Sequence, residues 1–158
     1  MKSNLISKSE TAKIFEELNT QWKIDVPKQK NVRTHQIDEK GVIITGNEIT
    51  AVKIGEDILP FLGDIPILEK FPYVIVDMGA IKFVCKGANI MRPGITKFSD
   101  FEKDEIVCVI EESQHKFLAV GKAKMPSKQL DETEHGEVIK NMHYISDIFW
   151  ESEKEIKY

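Results

Sequence analysis

The chain has 158 residues, of which 41% are hydrophobic and 30% are charged, and its formal net charge is −4. This balance is typical of a globular protein and argues against disorder, and the length suits one ordinary domain or two small ones. The longest apolar runs are too short to cross a bilayer, and the residues after Met1 lack the apolar segment of a signal peptide. We therefore expect a cytoplasmic protein with no membrane partner.

Cysteine and histidine give no indication of a metal site or a cofactor. Cys85 and Cys108 each lie in an apolar run, which is typical of buried thiols on strands, with a disulfide or a metal site as the alternative. The four histidines are scattered without ligand spacing. Motifs for phosphate loops, dinucleotide binding, zinc proteases and serine hydrolases are also missing from the sequence. We therefore expect no metal, no cofactor and no catalytic residue.

The charged residues are segregated along the chain. Between residues 82 and 103 there are five basic residues and two acids, and between residues 116 and 128 there are four lysines and no acid. The acids that offset them gather at residues 111–112, 131–137 and 151–155. Because phosphate contacts depend on local charge rather than on the total, nucleic-acid binding is compatible with a negative net charge.

The first half of the chain begins with a helix, which strands follow. Ser7 and Glu10 form a capping-box pattern, and the apolar residues after them recur at helical spacing, which predicts a helix over residues 9–20. Strands are predicted over residues 32–37, 41–45 and 48–54, with a hairpin turn at Gly46 and Asn47. Residues 57–62 indicate a short helix interrupted by a proline, and the Gly- and Pro-containing stretch 63–72 indicates a domain boundary.

The second half is richer in strands. They are predicted over residues 73–77, 80–85, 106–110, 117–124 and 138–144, with a tight turn at Met78 and Gly79. The stretch 87–95 holds too much glycine and proline for a full helix, so we expect a single turn that ends at Pro93 and Gly94. Five or six short strands at this spacing indicate a small, mostly closed β-barrel.

Two segments have a composition that suits contact with nucleic acid. Between Lys86 and Gly94, glycines allow a ligand close to the backbone, a short turn offers free N–H groups, and Lys86 and Arg92 add charge. In the predicted strand 117–124, Lys122 and Lys124 share one face and could follow a phosphate backbone. The alternatives are a simple connecting turn for the first segment and, for the second, lysines that protect an edge strand from aggregation.

Longer motifs in the same region carry a family resemblance. The run VDMGAIKFVCKGANIMRPGI at residues 76–95 resembles the start of the PUA domain, which is named after pseudouridine synthase and archaeosine transglycosylase. Residues 117–124 resemble a later strand of that domain. The spaced motif His143-Tyr144, Asp147 and Trp150 resembles the closing motif of one branch, and residues 65–72 resemble its lead-in. That branch contains the eukaryotic malignant-T-cell-amplified-sequence protein and its archaeal homologues.

The resemblance implies a pseudo-barrel that recognises structured RNA, together with association with the small ribosomal subunit and initiator tRNA. It also implies a role in translation reinitiation or recycling, with a partner that carries an initiation-factor-type SUI domain. Arg92 departs from the eukaryotic members by adding a cation to the loop, and the acidic residues 151–155 would repel phosphate if they lay beside the binding face. The RNA-binding residues predicted from the sequence and the resemblance are Lys82, Lys86, Gly87, Ala88, Asn89, Arg92, Pro93, Gly94, Lys122 and Lys124.

Together, residues and resemblance predict an α+β protein. An N-terminal α/β pre-PUA domain (residues 1–71) precedes a PUA pseudo-β-barrel (residues 72–150) and an acidic tail (residues 151–158). We expect a non-catalytic RNA-binding protein that acts on the translation machinery through tRNA or rRNA, with the cationic side chains of both segments on one surface around the glycine-lined loop. Two alternatives stay open: an accessory factor for tRNA or rRNA modification, and a protein–protein adaptor.

Overall fold

The computed structural model describes residues 1–158, and its regular elements form two sheets with short helices between and beside them. The first part of the chain holds β1 (Lys2–Leu5), α1 (Lys8–Trp22), β2 (Arg33–Gln36), β3 (Gly41–Thr45), β4 (Thr50–Ile54), β5 (Asp57–Pro60) and α2 (Ile65–Leu68). The second part holds β6 (Tyr73–Val76), α3 (Ile81–Val84), β7 (Ile90–Met91), β8 (Ile95–Phe98), β9 (Ile106–Glu111), β10 (Phe117–Ala123), β11 (Glu137–Tyr144) and α4 (Ile148–Glu153). None of these helices combines the length and the apolar character of a transmembrane span.

Helix α1 begins where the capping box predicts. The Ser7 hydroxyl accepts a hydrogen bond from the Glu10 N–H (3.1 Å) and donates one to the Glu10 carboxylate (3.1 Å). The apolar face carries Leu18 and Trp22 into the core, where the indole N–H of Trp22 donates to the Ile58 carbonyl (2.8 Å). The predicted helix is confirmed and runs on to Trp22, after which Lys23 adopts a left-handed conformation (φ 54°).

The strands β1 to β5 form an antiparallel meander in chain order. The helix predicted over residues 57–62 is wrong, because residues 57–60 form β5 and pair with β4. Gly55, with φ 61°, provides the left-handed residue of the turn before β5. Ile58 and Leu59 are both completely buried, and a short apolar run that is buried on both sides has no period that distinguishes a helix from a strand. The tertiary pairing therefore decides the conformation here.

The second sheet is the predicted pseudo-barrel. Its strand order is β7-β11-β10-β9-β6-β8, in which β6 and β9 run parallel and the other pairs are antiparallel. The interior is filled by small and branched side chains from all of these strands, including Val74, Ile90, Ile95, Val107, Val109, Leu118, Ala119 and Ile139. The predicted barrel is thus confirmed, with β7 and β8 as strands that the sequence pattern did not reveal.

The strand predicted over residues 80–85 is wrong, because this segment is helical. The Asp77 carboxylate accepts a hydrogen bond from the Ala80 N–H (3.0 Å) and so caps a 3-10 turn (Met78–Ala80) that runs directly into α3. Val84 is buried and Ile81 packs partly against the barrel core, whereas the adjacent Lys82 and Phe83 are both exposed, which a strand that alternates between two faces would not allow.

The two sheets share one hydrophobic core. Leu18 and Trp22 of α1 belong to the same buried cluster as Ile106, Cys108 and Val120 of the barrel. Burial of apolar surface between the sheets therefore contributes to the stability of both, at about 25 cal/mol per Å² removed from water.

Helix α4 and the residues after it lie on the N-terminal sheet. Phe149 and Ile156 are buried against Ile43, Val52 and Phe61. The acidic residues that would repel phosphate, Glu151 and Glu153 in α4 and Glu155 after it, therefore belong to a segment that packs on the first sheet.

Candidate nucleic-acid interface

The glycine-lined loop after α3 is shaped by Gly87. Its φ is 92°, which lies in the left-handed region that glycine adopts without strain. A Cβ atom at this position would lie 3.0 Å from the ring of Tyr144 on β11, closer than an unstrained contact. The backbone therefore turns tightly over the Tyr144 ring. Glycine suits this position because it adopts the positive φ without strain and because a side chain would clash with the ring.

Two asparagines hold this loop against β11. The Asn141 N–H donates to the side-chain oxygen of Asn89 (3.0 Å), and the Asn141 side-chain amide donates to the carbonyls of Val84 (3.1 Å) and Ala88 (3.0 Å). The Asn141 side-chain oxygen is buried without a hydrogen-bond partner. Asn89 thus has a structural role from its side chain, while Ala88 is exposed at the tip of the loop.

The expectation of free N–H groups in this loop is wrong for four residues. The amides of Lys86, Gly87 and Ala88 donate to carbonyls of α3 at 3.0–3.1 Å, and the Arg92 amide donates to the Gly136 carbonyl (2.8 Å). A tight turn uses its own amides, so a ligand at this loop meets side chains rather than free donors of the backbone.

Arg92 supports the loop instead of projecting from it. Its Nε donates to the Leu130 carbonyl (2.8 Å), its Nη1 donates to the Ile95 carbonyl (3.1 Å), and its guanidinium lies 5.9 Å from the ring centre of Phe98. Arg92, Pro93 and Gly94 form the single 3-10 turn expected at this place, with Pro93 exposed. The positive charge of Arg92 adds to the local potential, but two of its donors are already used.

Lys82 and Lys86 are the exposed cations at this loop. Neither forms an ion pair with an acid of the chain. The Lys82 ammonium lies 5.1 Å from the ring centre of Phe83, a cation–π distance. No aspartate or glutamate occurs between Asp77 and Asp100, so nothing within this stretch offsets its positive charge.

Lys122 and Lys124 are directed at different acids. The Lys122 ammonium contacts the Asp57 carboxylate (2.5 Å), which lies on β5 of the other sheet. Lys124 forms an ion pair with Glu137 at the start of β11. Hydrogen bonds from Lys124 and from Asn89 lower the pKa of Glu137 below its usual value. Lys124 is thus connected to the loop through Glu137, whereas Lys122 is held at the junction of the two sheets.

Three exposed apolar residues in this region were not predicted from the sequence. Phe83, Met78 and Met91 are 56%, 47% and 46% exposed. For Phe83 the sequence did contain a signal, because this residue follows Lys82 directly in the stretch that lacks acidic residues. It was missed because a strand over residues 80–85 would have placed every second side chain in the barrel.

The structure offers no metal centre or activated thiol. No group of three His, Cys, Asp or Glu side chains is placed to hold a metal ion. Cys85 and Cys108 are free thiols, and burial raises the pKa of Cys108 to about 12. A thiol that stays protonated is neither a nucleophile nor a metal ligand.

A known domain matches the part of the chain that forms the barrel and the Gly87 loop. The family model of the PUA domain matches residues 72–145. Over 134 residues the chain is 35% identical to malignant T-cell-amplified sequence 1 of Danio rerio, and the alignment covers 79% of this chain and 73% of that protein. The chain belongs to the malignant T-cell-amplified sequence family.

Two further comparisons extend this assignment. The chain is 42% identical over 89 residues to translation machinery-associated protein 20 of Schizosaccharomyces pombe, a match that covers 53% of this chain and 49% of that protein. The crystal structure of a Pyrococcus horikoshii OT3 protein is similar with a TM-score of 0.78 at 24% identity, and the match covers 96% of this chain and 99% of that chain. The fold of this family member, N-terminal sheet included, therefore occurs in an experimental structure.

Proposed function

We propose that this protein is a non-catalytic, cytoplasmic RNA-binding protein that acts on the translation machinery. The observation that carries the proposal is the acid-free stretch of the PUA domain between Asp77 and Asp100, where Lys82 and Lys86 are exposed beside the Gly87 loop. The name of the fission-yeast relative, translation machinery-associated protein 20, supports the same process.

The binding mode follows from charge and shape. Lys82 and Lys86 approach phosphates directly, and Lys124 joins them when a phosphate replaces Glu137 as its partner. Gly87, Ala88, Pro93 and Gly94 let the sugar–phosphate backbone come close to the protein. Lys122 contributes only to an RNA that reaches the junction of the two sheets. Recognition of this kind reads the shape of a folded tRNA or rRNA rather than a base sequence.

The proposal extends to the step of translation at which the protein acts and to its partners. We place the protein at the small ribosomal subunit, in initiation or recycling, together with a protein that carries an initiation-factor-type SUI domain. The support is membership of the malignant T-cell-amplified sequence family.

The test is a ribosome gradient combined with RNA binding by charge-reversal variants. Lys86→Glu is expected to leave the small-subunit fractions and to lose tRNA affinity, and neutral Lys86→Gln should flatten the salt dependence of binding by about one phosphate contact. Lys13→Glu, which makes the same charge change at an exposed position of α1, is the matched control and should behave like the unmodified protein.

Three results would contradict the proposal in different ways. Unmodified protein that stays at the top of the gradient removes the ribosomal assignment, and co-purification with an RNA methyltransferase or pseudouridine synthase would replace it with the modification-factor alternative. Undetectable RNA binding at low salt, with a protein partner retained, would favour the adaptor.

A further inference from the structure

A surface cavity of about 440 Å³ opens between the N-terminal sheet and the C-terminal residues of the chain. Its walls come from the start of β4 and the turn before it, from the connection between β5 and α2, and from α4 and the residues after it. No lining residue lies between residues 65 and 149, so the cavity is separate from the Gly87 loop. Cavities that bind ligands commonly enclose roughly 300–1,000 Å³, so this one has room for a long side chain and part of its backbone.

Aromatic rings form one wall of the cavity. Phe61 is 4% exposed and stacks on Trp150, with ring centres 5.9 Å apart and ring planes at 24°. Phe61 also stacks on the completely buried His143 (5.5 Å), which anchors the wall in the core. Trp150 is only partly buried and lines the cavity, as does Tyr158. Because the face of an aromatic ring attracts cations, and that of tryptophan most strongly, this wall favours a positively charged ligand.

The polar part of the lining is acidic. Glu48, Asp64 and Glu153 line the cavity, and none of their carboxylates forms an ion pair with a cation of the chain. Lys154 is the only cation of the lining, and its ammonium contacts the carboxylate of Glu151 instead (3.0 Å). Three carboxylates beside an aromatic wall therefore have no positive partner within the protein.

The hydrogen bonds of these acids leave oxygen atoms free to accept from a ligand. Asp64 accepts the Thr50 N–H through one oxygen (3.0 Å), and Glu153 accepts the Tyr158 hydroxyl through one oxygen (2.8 Å). Partial burial, the hydrogen bond to Glu153 and the charges of Glu153 and Asp64 raise the pKa of Tyr158 to about 12. The negative field that opposes ionisation of this phenol attracts a cation to the same place.

We propose that this cavity receives an arginine side chain from a protein partner, with the guanidinium stacked on Trp150 and hydrogen-bonded to Asp64 and Glu153. A guanidinium is flat, stacks on aromatic faces and presents a fork of donors to carboxylate oxygens, whereas a compact ammonium is more strongly hydrated. The same acids repel RNA, so the charge of the cavity fits a basic protein segment rather than a nucleic acid. This inference goes beyond the proposed function and does not depend on RNA binding.

The experiment compares two fluorescein-labelled peptides that differ only in charge. One is a short glycine–serine peptide with two arginines, and in the other both arginines are replaced by citrulline, which keeps the shape of the side chain and removes its charge. Fluorescence anisotropy gives the affinity of the full chain and of its Asp64→Asn and Glu153→Gln variants. Glu155→Gln is the matched control, because it removes the same charge from an exposed residue that does not line the cavity.

A nuclear magnetic resonance spectrum shows where the peptide binds. The indole N–H signal of Trp150 is identified by its absence from the spectrum of Trp150→Phe. The indole N–H of Trp22, which is buried and donates to the Ile58 carbonyl, is the internal reference.

An arginine in the cavity predicts a specific pattern of results. The unmodified protein should bind the arginine peptide and not the citrulline peptide. Asp64→Asn and Glu153→Gln should each weaken binding about two- to tenfold, because each removes one charged acceptor of the guanidinium. Glu155→Gln should bind like the unmodified protein. The indole signal of Trp150 should shift during titration with the arginine peptide, while that of Trp22 should stay in place.

Several results would overturn this inference. Equal binding of the citrulline peptide would show that charge is not recognised, and equal weakening by Glu155→Gln would show a general effect of net charge. Binding that leaves the Trp150 signal in place would locate the peptide elsewhere. Spermidine that shifts this signal at a lower concentration than the arginine peptide would identify a small polyamine, not a protein segment, as the occupant. Each of these results leaves the Lys86 test of RNA binding untouched, so the two proposals fail separately.

Discussion

At the scale of single residues, the candidate interface contains its own competitor for phosphate. Glu137 pairs with Lys124, and the pKa of Glu137 is lowered by that lysine and by Asn89, so the carboxylate is negative at neutral pH. The side chains of Lys124 and Glu137 are 40% and 43% exposed, and an ion pair so open to solvent contributes little to the stability of the fold. RNA phosphate and the Glu137 carboxylate therefore compete for one ammonium group at little cost to folding.

Glu137→Gln is expected to strengthen RNA binding about two- to fivefold and to steepen its salt dependence by about one contact, because Lys124 becomes available to phosphate. Anisotropy titrations of tRNA over a range of salt concentrations measure both effects. Glu134→Gln removes the same charge from an exposed position in the same acidic stretch and should change binding less. Equal gains from the two variants would show a general effect of net charge and would contradict competition at Lys124.

Gly87 and Gly136 both have a positive φ, so substitutions at the two positions separate the cost of backbone strain from the cost of a steric clash. Gly136→Ala introduces only strain, because its φ is 98° and no atom lies within 4 Å of the added Cβ; we expect a loss of about 1–2 kcal/mol of unfolding free energy. Gly87→Ala should lose more, because its Cβ also meets the Tyr144 ring at 3.0 Å. Urea unfolding measures the difference. Equal losses would mean that the ring moves away freely.

At the scale of elements, several conformations are decided by one polar side chain. Asp77 caps the turn into α3, and Asp147 caps α4 by accepting the Trp150 N–H (2.8 Å). The second oxygen of Asp147 accepts the Tyr144 N–H (2.9 Å) and the proton on His143 Nδ1 (2.7 Å). His143 carries its proton there because Nε2 accepts the Leu62 N–H (3.1 Å).

Asp147→Ala is expected to cost about 2–4 kcal/mol of unfolding free energy, since it removes a cap and leaves the buried His143 donor and the partly buried Tyr144 N–H without this acceptor. Urea unfolding followed by circular dichroism measures the loss. Ile148→Ala, at the neighbouring position that is 48% exposed, should cost much less. Similar values for the two variants would show that the hydrogen bonds of Asp147 contribute little.

Element predictions succeeded where the local signal was unambiguous. The capping box and helical spacing identified α1, and runs rich in β-branched residues between turn residues identified β3, β9 and β11. They failed at β5 and α3, where a short apolar run suits either conformation and where pairing with β4 or a cap from Asp77 decides.

At the scale of the whole molecule, the two sheets behave as one packed unit. Trp22 lies in the cluster that includes Ile106 and Val120 of the barrel, and the hydrogen bond from Leu62 to His143 crosses the same junction. The boundary between residues 71 and 72 stays a prediction about the course of the chain. Shared burial of this kind leads us to expect that the two parts lose their structure together.

Variants with a single tryptophan test whether the two parts of the protein unfold together. Trp150→Phe leaves Trp22 to report on the first sheet, and Trp22→Phe leaves Trp150 to report on α4. In each variant, the urea midpoint of tryptophan fluorescence should coincide with the midpoint of far-UV circular dichroism. A Trp22 signal with a midpoint of its own would show that the N-terminal sheet unfolds independently.

The sequence by itself determined the α+β class, the barrel and the family, because capping motifs, the spacing of short strands and turn residues, and contiguous motifs are all local patterns. It also located the net-basic stretch at residues 82–103 that holds Lys82 and Lys86. Only the tertiary structure decided which cations are free: Arg92 is engaged by two carbonyls, and Lys122 is paired with Asp57. These partners are distant along the chain, and no local pattern specifies which carbonyl or carboxylate folding brings within reach of a given side chain.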